Sequence, residues 1–288
     1  MSNLPPSADI QSDQSQLGQS QSSQSIELLK RLHILTRDGK LNQDSHRKLK
    51  QVQHLCQFIA PLLNAAFAAT SDPVLVDHGA GKSYLGFILY DEFLKTRDTG
   101  RVFSIEQRAE LVQSSRRLAD KLGFRRMRFH DLTVAEAAAA SELPARVDIV
   151  TALHACDTAT DDAIRFALAR EAAAIVLVPC CQAELAAALR HSKAEALART
   201  PLAELWRHPL HTREFGAHVT NVLRCLLLQA HGYQVTVTEL VGWEHSLKNE
   251  LIVARRTKDA PGSAHARACA ESIVAQLGLD TLRGRFLY

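Results

Sequence analysis

The chain has no apolar run near its N-terminus that reads as a secretory leader, and no stretch that reads as long enough to span a membrane. It also lacks a surplus of either charge: 34 Lys and Arg face 31 Asp and Glu, for a net charge of +3. Such a balance permits an acidic partner such as RNA without arguing for one. Cysteine is too sparse for a disulfide framework, with six in 288 residues and two of those adjacent, Cys180 and Cys181. Free thiols in a reducing compartment follow, and the cytoplasm is the expected location, away from any membrane. The rest is ordinary globular material, 46% apolar and long enough to bury a substantial core.

Residues 1–25 are mostly Ser and Gln with almost nothing to bury, which predicts a disordered tail. From 26 to 70 the spacing turns helical. Leu28, Leu29, Leu32, Ile34 and Leu35 form one apolar group, and Val52, Leu55, Ile59, Leu62 and Leu63 form another. Two or three helices are expected there as an N-terminal extension. The basic segment His46 to Lys50 reads either as a solvated helix face or as a contact for RNA phosphates.

Val74, Leu75 and Val76 lead into Asp77, then Gly79 and Gly81, then a helix-like segment. This is the strand, glycine turn and helix start with which α/β folds hold a nucleotide-like cofactor. Glycine suits the turn because only a side-chain-free backbone bends so tightly and approaches a ligand so closely. The Asp77 carboxylate would repel a phosphate, so a cationic cofactor such as S-adenosylmethionine fits better. Gly81, Lys82 and Ser83 suggest a P-loop, but that motif needs Gly at position 76, where Val stands. No convincing second acidic strand offers itself for magnesium.

Strands and helices then alternate. Strands are expected over 74–77, 101–106, 127–130, 147–153 and 174–179, with helices over 83–95, 108–122, 161–170 and 219–231 and an Ala-rich segment over 134–141. A closing strand pair over 234–240 and 250–255 suits an antiparallel edge hairpin. The pattern predicts an α/β, Rossmann-like fold: a seven-stranded, mostly parallel sheet over residues 71–257, which is the class I methyltransferase layout. Residues 258–288 read as a linker and a helix around 265–277, ending in a basic and aromatic segment.

Glu106 ends the second strand, where an acidic residue can accept from both ribose hydroxyls. Asp131 and Leu132 follow the third strand, with Asp131 placed either to accept from an adenine amino group or to cap a helix. After the fourth strand come Leu153, His154, Ala155, Cys156 and Asp157. His154 is a candidate base or a structural histidine, and Asp157 faces the site or caps the next helix. Cys180 and Cys181 end the fifth strand. They read as pocket-shaping apolar residues, as a covalent nucleophile for pyrimidine methylation, or with Cys156 and a His as zinc ligands at unfavourable spacing. The Pro-Pro-Tyr signature of amino-group methylation of bases is absent. Lys248 and Asn249 lie between the last strands, at a solvated turn or near the site.

Together Asp77-His-Gly-Ala-Gly-Lys-Ser-Tyr-Leu85, Leu153-His-Ala-Cys-Asp157, Pro179-Cys-Cys181 and Lys248-Asn-Glu-Leu-Ile252 resemble a family of class I methyltransferase domains. That family includes the domain of the glutathione-S-transferase-C-terminal-domain-containing protein, and it is distantly similar to a tRNA ribose methyltransferase family. The resemblance covers about residues 50–256. It implies S-adenosylmethionine as cofactor, held by Asp77, Gly79, Ala80, Gly81, Glu106, Asp131, Leu132 and Leu153. His154, Asp157, Cys180 and Cys181 are the candidates for catalysis, and no metal is expected. RNA is the first candidate acceptor, a protein or small molecule the second. A domain that binds the cofactor without transferring methyl groups is the alternative of a different class.

Overall fold

In the computed structural model, which describes residues 26–32, 43–153, 155–179, 182–192, 201–240, 250–257 and 261–288, the alternation of apolar runs and amphipathic segments resolves into one sheet flanked by helices. The chain enters through α1 (Ile26–Arg31) and α2 (Gln43–Ala69). It continues as β1 (Val74–His78), α3 (Tyr84–Leu89), β2 (Arg101–Glu106), α4 (Ala109–Leu122) and β3 (Met127–Asp131). Next come α5 (Val134–Ala139), β4 (Ile149–Ala152), α6 (Thr158–Ala169), β5 (Ala174–Leu177) and α7 (Glu184–Ser192). The last elements are α8 (Pro209–Ala230), β6 (Tyr233–Glu239), β7 (Glu250–Arg256), α9 (Ala264–Gln276) and α10 (Arg283–Phe286).

The strand order is β3-β2-β1-β4-β5-β7-β6; the first five strands run parallel and β7 is antiparallel to both neighbours. Composition explains why the later strand lies inside. Leu251, Ile252, Val253 and Ala254 are all buried, whereas β6 exposes Gln234, Thr236 and Val237 and so tolerates the edge.

One sheet face packs against α1 to α4 around Leu55, Ile59, Phe87, Val102 and Met127. The other packs around Val76, Ile105, Phe166 and Leu228. The N-terminal extension is therefore joined to the main domain by a shared core. Val52–Ala69 corrects the membrane expectation as worded, since it is long and apolar enough to cross a bilayer by length and composition alone. In this fold Val52, Leu55, Cys56, Ile59, Leu62, Leu63 and Ala66 are buried against the sheet helices.

Two further departures have local causes. The segment expected as one helix over 83–95 divides at Tyr90, where a π turn over Tyr90–Leu94 is closed by Lys95 N–H donating to the Tyr90 carbonyl. The helix expected from 219 starts at Pro209, whose missing N–H costs nothing at a first helical position. The C-terminal segment packs back on the domain, with Val274, Leu279 and Phe286 meeting Leu185, Leu189 and Leu223 of α7 and α8. Gly216 permits the close approach of α7 and α8, since a Cβ there would stand 2.9 Å from Ala186 Cα.

Arg224 of α8 has no exposed surface. Its guanidinium donates to both oxygens of Asp161 at 2.7 and 2.9 Å, to the Asp157 carbonyl at 2.8 Å and to Asn221 Oδ1 at 3.2 Å. Asn221 in turn donates to Glu250 at 2.7 Å and accepts from Gln182 at 3.2 Å. A buried cation so satisfied is tolerated; one stripped of its counter-charge is not. Asp161→Ala is expected to lower the unfolding free energy in urea by about 3–5 kcal/mol, and Asp161→Leu with Arg224→Met to restore most of it. A loss under 1 kcal/mol in the single variant would show the pair to be dispensable.

Candidate functional site

A cavity of about 820 Å³ opens beyond the carboxyl ends of β1, β2 and β4. Ligands in open α/β sheets bind at this end. β1 runs out into Gly79, Ala80 and Gly81; both glycines have positive φ, 64° and 58°, so the turn excludes side chains at little strain. Ala80 N–H donates to the Ile105 carbonyl at 3.0 Å and Gly81 N–H to Glu106 Oε2 at 2.8 Å, which ties the turn to β2.

Asp77 lines the cavity but is only 2% exposed. Thr151, opposite it in the β1–β4 register, donates to its Oδ1 at 2.6 Å. Burial outweighs that bond and pushes the Asp77 carboxyl up from 3.8 to about 7. The group is thus poised to gain a full negative charge when a cation arrives. The next residue, His78, faces the other way, edge-on to Phe166 at 4.6 Å. Burial lowers His78 to about 3, so its ring is neutral, and both of its nitrogens lack a partner among the described residues.

Glu106 has the opposite electrostatics. Despite desolvation, its carboxyl is held below the ordinary range by hydrogen bonds and charge from Arg108 and by the Gly81 amide. Arg108 donates to Oε1 through its backbone N–H at 3.0 Å and its Nε at 2.8 Å, and through a terminal nitrogen to Oε2 at 3.3 Å.

Of the residues expected to hold a cofactor, Asp77, Gly79, Ala80, Gly81, Glu106, Leu132 and Leu153 line this cavity. Asp131 does not: it is exposed at the end of β3, and the wall on that side is made by Leu132, Thr133, Val134 and Ala135. There α5 starts directly after the strand, with Thr133 and Glu136 forming a reciprocal capping box beside the cavity.

Asp157, a candidate for catalysis, is not among the residues that line the cavity. Its Oδ1 accepts from the Ala183 and Glu184 amides at 2.9 and 3.2 Å, which caps α7 rather than the helix that follows it in sequence. His154, Cys180, Cys181, Lys248 and Asn249 lie outside the described residues; Cys156 lines the cavity. Among the described residues no group of three His, Cys, Asp or Glu side chains is placed to hold a metal.

Sequence reasoning did not place Thr151, Arg108, Asp162 or Val52 at the site, although all lie at the cavity or its buried carboxylate and Val52 was read as part of an apolar helix face. Arg108, a cation two residues after a strand-end carboxylate, had a local signal. The others are brought in by pairing or packing across long stretches of chain.

Residues 47–188 match the family model of a methyltransferase domain. No curated protein matches the sequence. Among solved structures, a precorrin-6y C5,15-methyltransferase from Geobacter metallireducens GS-15 aligns at 19% identity over 64% of this chain and 80% of its own, with a TM-score of 0.37. The magnesium protoporphyrin IX methyltransferase of Synechocystis PCC 6803, with bound S-adenosylhomocysteine, aligns at 13% over 84% of this chain and all of its own, TM-score 0.46. An rRNA methylase from Streptococcus thermophilus aligns at 9% over 65% and 88%, TM-score 0.38. These are distant likenesses and carry no information about this chain's acceptor.

The burial of Asp77 sets a pH dependence. Its folded pKa lies above its unfolded 3.8, so its contribution to stability is present below that value and is lost as pH rises through about 7. Between pH 6 and 8 the ligand-free wild type is expected to lose about 1 kcal/mol of unfolding free energy relative to Asp77→Asn. Parallel stability curves for the two proteins would show the carboxylate to be ionised throughout.

Proposed function

We propose that the chain transfers a methyl group from S-adenosylmethionine to RNA, a reading that starts from the match of residues 47–188 to a methyltransferase-domain family model and from the seven-stranded sheet. The observation that carries the cofactor half is the pair of carboxylates, Asp77 and Glu106, set on either side of a glycine turn at the ends of adjacent parallel strands. A buried carboxyl raised to about 7 suits a cationic amino group, and one held low at the cavity wall suits ribose hydroxyls. Ile105, Leu132 and Val134 supply apolar wall for an adenine ring.

When bound, S-adenosylmethionine supplies a methyl group on a sulfonium, an electrophile that needs no protonation. What this chain's residues do is bind, orient and exclude water. Asp77 offers the counter-charge, the Gly79 to Gly81 turn lets backbone approach closely, and Leu153, Ala155, Cys156 and Thr158 line the side of the cavity fed by the β4 loop. Alignment of an acceptor atom in line with the sulfonium is the larger part of such catalysis.

RNA as acceptor is supported by the resemblance of the motifs, by Lys82 and Arg108 at the cavity, and by exposed cations on α4, before β3 and in it, namely Arg116, Arg117, Lys121, Arg125 and Arg128. A small-molecule acceptor is the second reading, favoured by a cavity of about 820 Å³, large for the cofactor alone. The free thiols of Cys56, Cys225 and Cys269 suit the cytoplasm as the location.

S-adenosylhomocysteine at one hundred times its Kd is expected to add about 2.7 kcal/mol, a rise of several degrees in Tm that Glu106→Ala abolishes. Labelled methyl groups offered with fractionated RNA, protein and metabolites should appear in RNA, with binding that weakens steeply as salt rises. Label confined to protein or metabolites would overturn the RNA reading and leave the cofactor reading intact.

A further inference from the structure

The carboxylate assigned to the ribose is already occupied. Its Oε1 accepts from Arg108 N–H and Nε at 3.0 and 2.8 Å, and its Oε2 from the Gly81 amide at 2.8 Å and an Arg108 terminal nitrogen at 3.3 Å. The backbone bonds are fixed by the turn between β2 and α4 and by the glycine turn. The side-chain bonds are not: the Glu106 side chain is 7% exposed, whereas that of Arg108 is 56% exposed. A second observation locates the guanidinium independently. A Cβ built on Gly81 would find the Arg108 terminal nitrogen as its neighbour, at 3.8 Å, so the cation covers the glycine turn as well as the carboxylate.

Two ribose hydroxyls that donate to Glu106 would need the acceptor positions the guanidinium now holds, and would need the space above Gly81. The backbone amides leave each oxygen with capacity for one further donor, as a carboxylate oxygen accepts about two.

Resting on the cofactor reading above, we propose that Arg108 is a displaceable latch on the cofactor carboxylate: it holds Glu106 oriented while the site is empty, and it swings out when ribose hydroxyls take its place. Cofactor binding then exchanges an ion pair whose cation stands half in solvent for neutral hydroxyl donors. Because salt screens such a cation and leaves neutral hydroxyls alone, the exchange becomes easier as ionic strength rises. That sign is unusual for a site that holds charged ligands, and it is specific to a competing cation. Arg108 is a positioning residue in this scheme: it acts on the cofactor only through Glu106.

The test is calorimetric titration of the full chain with S-adenosylhomocysteine, a ligand of no net charge near neutrality, at 50 and 500 mM salt. Wild type is expected to bind tighter at high salt. Arg108→Ala is expected to bind about two- to fivefold tighter than wild type at low salt, the worth of one such ion pair, and to lose the salt dependence. In a Glu106→Gln background, Arg108→Ala should leave affinity unchanged, which a purely structural role for Arg108 would not predict. Thermal unfolding without ligand verifies that each variant is folded, and Arg108→Gln replaces Arg108→Ala if the latter is not.

Weaker binding by a folded Arg108→Ala variant would overturn the latch and assign Arg108 to the support of the cofactor. Unchanged binding with unchanged salt dependence would overturn it also. A folded wild type that binds no S-adenosylhomocysteine at either salt concentration would instead overturn the cofactor reading on which the latch rests.

Discussion

The guanidinium of Arg224 is the point on which one half of the molecule depends. It lies wholly inside the protein, and four hydrogen bonds on three partners offset the loss of its water. An apolar pair of the same volume would serve stability as well. What the charge adds is direction. Through Asp161 it fixes the rotation of α6 against α8, and through the Asp157 carbonyl it fixes the chain just after β4. Asp157 passes that constraint on, because its own carboxylate holds the first amides of α7 after β5. Asp157 after β4 and the first turn of α7 after β5 therefore take their positions from one side chain on α8.

The other half of the site is built with different means. Around Gly79 and Gly81 the geometry belongs to the backbone, and side chains enter as two carboxylates of contrary character. Asp77 is desolvated and Glu106 is supplied with donors, so a proton stays on the first at a pH where the second has long lost its own. Their environments differ because Asp77 points inward beside Thr151 within the sheet, whereas Glu106 sits one residue from solvent where β2 ends.

Much of this was legible in the sequence. The seven strands, their alternation with helices and the edge hairpin follow from apolar period and turn residues, which are local signals. The glycine turn and Glu106 were legible for the same reason. Contacts that join distant segments were not. Thr151 meets Asp77 only through the register of β1 with β4, and Asp157 caps a helix twenty-seven residues away rather than its sequence neighbour. Asp131 had the right address at the end of a strand, but its side chain is exposed there and the next four residues make the wall instead. Arg108 was missed for a simpler reason: a cation beside a carboxylate on a surface is usually a pair of little consequence.

The position of β7 bears on how the chain is made. Ribosomes deliver β5 well before β7, which arrives seventy-three residues later at Glu250 yet pairs directly with β5. Until then Ala174, Ile175, Val176 and Leu177 form an apolar strand with one bare edge, the kind of template on which a second nascent chain can pair. The parallel half of the sheet can close early, but it stays adhesive along that side until the hairpin folds in. Truncation ahead of Glu250 would leave the edge open for good, and the expected product is aggregate rather than a smaller domain.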